Sequence, residues 1–280
     1  MPSTPPLLFS TKWVSDIYNN KNYCLKNVAA NTAFITDSPR VHIPDVSNVY
    51  IQIEPEIIMP QAQFLIQNWQ KYDRILTFHE DVLRLCPNAR KYYYGTKWLQ
   101  PIDYDNVDVG SKQFRVSNIA GSKNIRNAPG HIFRQIIHFS QQRFPVAPPV
   151  TFFRSSHQTP HIKDFGGNPF LGDNKIALFK DFQFAIIVEN SRQVNYFTEK
   201  LMDCLLMKTI PIYFGAPNIG DIFKTNGWIL LETGSINELL EKITILTDKH
   251  YEQWYDDIEE NWHRAHEYLE LFSNWDKALV

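Results

Sequence analysis

Residues 182–214 read FQFAIIVENSRQVNYFTEKLMDCLLMKTIPIYF, and this stretch decides the fold class. Phe182–Val188 is a continuous apolar run of strand length, the pattern of a parallel strand covered on both faces. A polar loop follows it. Leu201, Met202, Leu205 and Leu206 then recur at helical spacing behind Asn195 or Thr198, either of which can cap a helix. Ile210–Phe214 is a second apolar strand, and Gly215-Ala216-Pro217-Asn218 turns the chain after it. Strand, helix and strand of this composition make a βαβ unit with parallel strands.

The alternation extends in both directions. Toward the C-terminus, Trp228–Leu231 is strand-like, and Ser235-Ile236-Asn237-Glu238 is a capping box that opens a helix. A long final helix spaces Tyr251, Trp254, Tyr255, Ile258, Trp262 and Leu269 at 3–4 residue intervals, an aromatic stripe suited to packing against the body. Toward the N-terminus, Thr151–Arg154 and Gln113–Asn118 are strands. Between them Gly130–Gln142 is a helix with Ile132, Phe133, Ile136, Ile137 and Phe139 on its apolar side. A Gly/Pro/His-rich loop over 155–173 is long enough to suggest a functional role. Periodicity disappears between Gln100 and Ser111, which reads as a linker. Before it come a strand at Asn48–Ile53, a helix at Gln61–Gln70, a strand at Arg74–Phe78, a short helix at Asp81–Leu85 and a short strand at Tyr92–Tyr94. The expected architecture is α/β, with two Rossmann-like domains (1–108 and 109–280) facing a cleft and the C-terminal helix packing back on the body. In such sheets ligands bind outside the carboxyl ends of the strands.

The 280 residues carry 28 Lys+Arg against 30 Asp+Glu, a formal net charge of -2, with 44% hydrophobic residues. This is a globular composition, and a chain of this length needs no disulfide or metal staple. The near-neutral balance argues against a nucleic-acid protein, which would show a basic face. Aromatic residues, at 14%, are abundant enough to stack on sugars and bases as well as to fill a core. Cys24, Cys86 and Cys204 are odd in number and widely spaced, which fits a reducing compartment. Residues 1–10 have no basic region of a signal peptide, the longest apolar run is far short of a membrane span, and no N-x-S/T sequon occurs. These features predict a soluble, cytoplasmic protein.

Several motifs fail. There is no G-x-G-x-x-G, and Asp221 stands where a P-loop after Gly215 and Gly220 needs lysine. His157 and His161 are separated by Pro160, and His263 and His266 lack a carboxylate pattern, so neither pair reads as a metal site. Asp103-Tyr104-Asp105 matches the D-x-D of metal-dependent sugar transferases but sits in the acidic linker, where a solvated loop is the better reading.

One constellation stands out. Glu189-Asn190-Ser191 follows a buried strand, and Tyr196-Phe197-Thr198-Glu199-Lys200 starts a helix. A helix N-terminus suits a diphosphate. Lys200 opposes the usual charge preference of a first helical turn, a conflict expected where function overrides stability.

Residues 180–219 (KDFQFAIIVENSRQVNYFTEKLMDCLLMKTIPIYFGAPNI) resemble the donor-binding core of glycosyltransferase family 10, the α-1,3-fucosyltransferase family. The family pattern is F-x-F-x-x-x-x-E-N-S, then Y-x-T-E-K, then V/I-P-I-Y-x-G-A-P-N, and all three blocks occur in order. The resemblance implies a GT-B fold and inverting, metal-independent transfer from a nucleotide-sugar donor to an oligosaccharide or glycoconjugate acceptor. It also implies no cofactor, no metal and no nucleic-acid partner. Glu189 and Asn190 would line the donor site. Tyr196 and Glu199 would contact nucleotide or sugar beside Thr198, and Lys200 would hold the diphosphate. An arginine at the helix after the domain's first strand corresponds to Arg134, or second to Arg126. The general base corresponds to Glu54 in Ile53-Glu54-Pro55-Glu56, with Glu56 as the other choice. GDP-fucose is the family default, and UDP-xylose is an alternative donor. Two other readings are a nucleotide-sugar or glycan-binding module without catalysis, and a metal-dependent transferase using Asp103 and Asp105.

Overall fold

The computed structural model describes residues 7–20, 25–29, 31–121, 123–155 and 167–280. Most of the Gly/Pro/His-rich loop, including His157 and His161, lies outside the described residues. The chain forms two compact units. The first comprises the chain up to Tyr94 with Val194–Tyr196 and Glu270–Val280, and the second comprises Gly95–Gln193 and Phe197–Leu269.

The elements of the first unit are β1 (Leu8–Phe9), α1 (Lys12–Asn20), β2 (Thr32–Thr36), β3 (Ser47–Ile51), α2 (Ala62–Asn68), β4 (Arg74–Thr77), α3 (Glu80–Leu85) and β5 (Ala89–Lys91). The strands form one sheet in the order β1-β2-β3-β4-β5, and every pairing is parallel. β2 (TAFIT) has no distinctive sequence signal, because only three apolar residues lie between its two terminal threonines, yet all five residues are buried. The strand expected at Tyr92–Tyr94 lies three residues earlier, since β5 pairs Ala89 with Ile75 and Lys91 with Thr77. Tyr92 instead drops its ring into the core.

In the second unit the elements are α4 (Pro101–Tyr104), β6 (Gln113–Ala120), α5 (Pro129–Phe139), β7 (Val150–Arg154), β8 (Phe182–Val188), α6 (Glu199–Leu206), β9 (Ile210–Phe214), β10 (Ile229–Leu230), α7 (Ile236–Thr244), α8 (His250–Gln253) and α9 (Tyr255–Ala265). The sheet order is β10-β9-β8-β6-β7, again with parallel pairing throughout. The chain starts at β6, steps outward to β7, then returns to β8 on the other side. That reversal is the topological switch point of a doubly wound sheet, and ligands bind at the carboxyl ends of the two strands flanking it. Here these are β6 and β8, which end at Ala120 and Val188.

Several local expectations change. The segment 100–111 is not featureless: Gln100 and Asp103 form a reciprocal capping box on α4, and Tyr104 is buried. Asp103 therefore accepts the Gln100 N–H at 2.8 Å rather than lying in a solvated loop. At α7, Ser235 accepts from the Asn237 N–H at 3.2 Å, but Glu238 reaches back past Ser235 to the N–H groups of Glu232 and Thr233, at 2.7 and 2.9 Å. Only half of the expected capping box forms. On α5, Phe133 and Ile137 enter the core, whereas Ile132, Ile136 and Phe139 are 43%, 39% and 49% exposed, so its apolar residues occupy two sides. The long final helix is broken at Trp254, whose Cβ and ring lie over Gly227 where a glycine Cβ would be 2.6 Å away. The chain continues as α9, a 3-10 turn, and α10 (Leu271–Leu279), which belongs to the first unit.

α10 completes the core of that first unit. Trp275 is fully buried, its ring 5.4 Å from Phe34 in a stacked arrangement and 5.1 Å from Phe272 edge-on. The Asp276 carboxylate accepts from the backbone N–H groups of Lys26 and Asn27 at 3.0 and 3.2 Å, tying the helix to the loop before β2. A C-terminal helix thus packs back on the body, though it is α10 rather than the 251–269 stretch in which the sequence predicts it. Among the described residues no helix is long and apolar enough to cross a membrane.

Candidate functional site

The second unit concentrates polar side chains at its switch point. β8 is buried on both faces, so its carboxyl end delivers Glu189 into the interior, where it is fully buried. An isolated buried carboxylate is costly, and Thr198 answers it. The Thr198 N–H donates to Glu189 Oε1 at 2.8 Å and the Thr198 hydroxyl to Oε2 at 2.7 Å. Burial still pushes the Glu189 carboxyl upward, opposed by the Lys200 charge. Thr198 is also the N-cap of α6, accepting from the Lys200 N–H at 3.3 Å. One threonine therefore joins the end of β8 to the start of α6.

Lys200 lies over this joint. Its ammonium donates to Glu199 Oε1 at 2.8 Å and Thr198 Oγ1 at 3.1 Å, and stands 3.9 Å from Glu189 Oε2. Although burial alone would lower it, the neighbouring carboxylates of Glu199 and Glu189 hold the ammonium above the usual lysine range. The same cation holds Glu199 below the usual carboxylate range against its burial.

α5 supplies the other wall. Arg134 donates to the Val188 carbonyl at 2.9 Å and to Asn190 Oδ1 at 2.8 Å. His131 is 1% exposed. Its Nδ1 accepts from the Ile125 N–H at 3.2 Å, which leaves Nε2 as the N–H donor to Asn190 Oδ1, also at 3.2 Å. Burial, then the charge of Arg134, pushes the imidazole down to about 4, so the ring is neutral at physiological pH.

The two backbones touch. The Gly130 N–H donates to the Asn190 carbonyl at 3.2 Å, and a Cβ on Gly130 would stand 1.6 Å from the Glu189 carbonyl oxygen. On the other side a Cβ on Gly215 would meet Tyr213 Oη at 2.2 Å and Glu189 Cγ at 2.9 Å. Gly130→Ala is expected to force α5 off the β8 loop. Overpacking of this kind costs about 1–3 kcal/mol or more. An unchanged midpoint in chemical denaturation would contradict the close approach.

Of the residues singled out in the sequence, Arg134, Glu189, Asn190, Thr198, Glu199 and Lys200 come together in this cluster. Arg126 is exposed in the turn just before α5, at the carboxyl end of β6. Tyr196 lies in the first unit, 2% exposed, with its ring 5.3 Å from Phe78. His131 and Gly130 carry no sequence signal for the site, because their roles arise from elements distant along the chain, whereas Gly215 lies within the third motif block.

Glu54 lies in the first unit, three residues past β3. Its Oε2 is buried with no hydrogen-bond partner. Its backbone N–H donates to both Asp37 oxygens, at 3.2 and 3.1 Å. Asp37 also accepts from Ile53 N–H and Gln61 Nε2, and burial pushes its carboxyl up to about 6. Glu56 is differently placed: its carboxylate accepts from the N–H groups of Gln61 and Ala62, at 3.1 and 3.0 Å, at the start of α2. Among the described residues no group of three His, Cys, Asp or Glu side chains could hold a metal ion.

Comparison with known proteins bears on the fold and on the sequence of the second unit. Residues 152–278 match the family model for glycosyltransferase family 10 (fucosyltransferase) C-term. The chain is 32% identical over 56 residues to the alpha-(1,3)-fucosyltransferase FucT of Helicobacter pylori, a match covering 20% of this chain and 12% of that protein. It is similar in fold to a crystal structure of alpha1,3-fucosyltransferase with GDP-fucose, with a TM-score of 0.54 and 18% identity over 93% of this chain and 84% of that one. The crystal structure of TarM is similar in fold at a TM-score of 0.59 and 12% identity, covering 93% of this chain and 56% of that one. The two parallel α/β units have the fold of GT-B glycosyltransferases, and residues 152–278 are similar to the C-terminal region of glycosyltransferase family 10 (fucosyltransferase).

Proposed function

We propose that the protein is an inverting, metal-independent glycosyltransferase that moves a sugar from a nucleoside diphosphate, GDP-fucose in the first instance, to a glycan hydroxyl. The observation that carries this reading is the Lys200 ammonium. It is held against Thr198 and Glu199 in the first turn of α6, at the carboxyl end of β8.

In the reaction an acceptor hydroxyl oxygen attacks the anomeric carbon as the bond to the diphosphate breaks, through an oxocarbenium-like state. The hydroxyl proton passes to Glu54, whose buried Oε2 has no competing donor. Glu56 is less suited, since its carboxylate already caps α2. The departing diphosphate gains negative charge, and Lys200 meets it. Fixed donors aimed at developing charge need no reorganisation as the reaction proceeds, which is why they are effective. Within the cluster, Glu189 and Glu199 balance Lys200 and Arg134, so a bound diphosphate calls for further positive charge. Arg126, exposed at the carboxyl end of β6, is suited to supply it, while Arg134 orients Asn190.

Thermal unfolding with GDP-fucose, UDP-xylose and other nucleotide sugars tests the donor. At 100 times its Kd a ligand stabilises by about 2.7 kcal/mol, a rise in Tm of several degrees for a chain of this size. No shift with any nucleotide sugar would sink the reading. Activity that persists in chelator is expected, and a strict divalent-metal requirement would return attention to Asp103 and Asp105.

A further inference from the structure

We propose that His131 is a positioning residue that fixes the orientation of the Asn190 side-chain amide, so that Asn190 turns its Nδ2 donors toward the nucleotide-sugar donor. This rests on the transferase reading for the ligand's identity, but the fixing of the amide stands on geometry alone.

An asparagine amide can flip, and only its partners decide which end faces which way. Both partners on the α5 side are donors. Arg134 is a guanidinium, which has no acceptor, and it reaches Asn190 at 2.8 Å. The Ile125 N–H occupies His131 Nδ1 at 3.2 Å, so Nε2 carries the proton. It lies 3.2 Å from the same Asn190 oxygen. Two donors converging on one atom require that atom to be Oδ1, and Nδ2 then points away from α5. The backbone is fixed as well, through the Gly130 N–H to Asn190 carbonyl bond at 3.2 Å. His131 is 1% exposed and neutral, so it adds no charge to a cluster whose carboxylates and cations already balance. A cation at that position would repel Arg134 and Lys200. The role calls for an uncharged donor whose other face accepts a backbone N–H, which describes a neutral imidazole.

Two substitutions separate the two ring nitrogens. His131→Asn keeps an acceptor near the Nδ1 position but withdraws the donor to Asn190. His131→Gln keeps a donor near Nε2. With GDP-fucose as donor substrate, His131→Asn is expected to raise the KM for the donor about tenfold, the effect of one buried hydrogen bond, with the acceptor KM unchanged. His131→Gln is expected to restore it to within about threefold of the original. Combined with Asn190→Ala, His131→Asn should cost no more than Asn190→Ala alone, since it acts through Asn190. Equal losses in both histidine variants, or additive losses in the double variant, would overturn the proposal. Nitrogen NMR of the unsubstituted protein supplies a readout independent of activity. The His131 ring should show the Nε2–H neutral form at pH 5.5, where ordinary histidines have charged. The Nδ1–H form or a charged ring would overturn the proposal even if the protein transfers no sugar. If the ring is as described but no nucleotide sugar binds, the transferase reading fails and the ligand assignment with it, while the fixing of Asn190 stands.

Discussion

Replacement of Lys200 by alanine is expected to reduce sugar transfer by about 10²–10³-fold, the loss typical of removing one preorganised group that stabilises developing charge. The ammonium stands 2.8 Å from Glu199 and 3.9 Å from Glu189. Both of these carboxylates are well shielded from water, and Glu189 is fully buried. Without the lysine, two carboxylates remain beside the position a diphosphate would take, and like charges repel. The loss should therefore appear in donor affinity as well as in turnover. The variant also breaks a partly buried ion pair, so its stability must be measured alongside. Lys200→Arg serves as the second variant, because it keeps the charge but alters the geometry. If Lys200→Ala folds normally and turns over at near the original rate, the diphosphate is not held there.

Glu54→Gln is expected to lower turnover by about 10²–10⁴-fold, the usual contribution of a general base, while GDP-fucose affinity stays within about twofold. Glutamine has the size of glutamate, so the contacts of the Glu54 backbone N–H with Asp37 need not change. What disappears is the basic carboxylate oxygen that takes the proton, since an amide oxygen accepts hydrogen bonds but is a far weaker base. Rapid-quench measurement of the transfer step, together with calorimetric titration of donor, separates the two effects. Unaltered turnover would move the base elsewhere. Glu56→Gln provides the contrast: its carboxylate serves the start of α2, so it should act on stability rather than on chemistry.

The parts of this protein that the sequence discloses are those in which a local pattern determines the outcome. Phe182–Val188 and Ile210–Phe214 are strands at their predicted bounds, because a strand covered on both faces is apolar along nearly its whole length, here broken only at the half-buried Gln183. Thr198 caps α6, and the three motif blocks carry the resemblance that the family match over residues 152–278 repeats, since they encode one loop and the two elements beside it. What is not legible depends on partners far along the chain. Glu189 and Thr198 are nine residues apart, and nothing in their spacing says that both carboxylate oxygens will be met by one threonine. His131 looks like any histidine on a helix until Ile125 and Asn190 fall on its two nitrogens. The break at Trp254 sets its ring against Gly227 on a different segment, which no spacing within the helix foretells, and β2 is a strand whose five residues are all buried.

The C-terminal helix has a consequence for how the molecule comes into being. The first unit's strands end at Lys91, but the helix that carries Trp275 into their core begins at Leu271, about 180 residues later. At about 5–20 residues per second of synthesis, some 10–35 s separate the two on the ribosome. Throughout that interval the face of Phe34 that Trp275 covers is open, while the second unit, which ends at Leu269, acquires its full sequence first. Biogenesis is then expected to run against the usual direction, with the first unit maturing last. A nascent chain stalled before residue 271 should present an apolar face of the kind that chaperones bind.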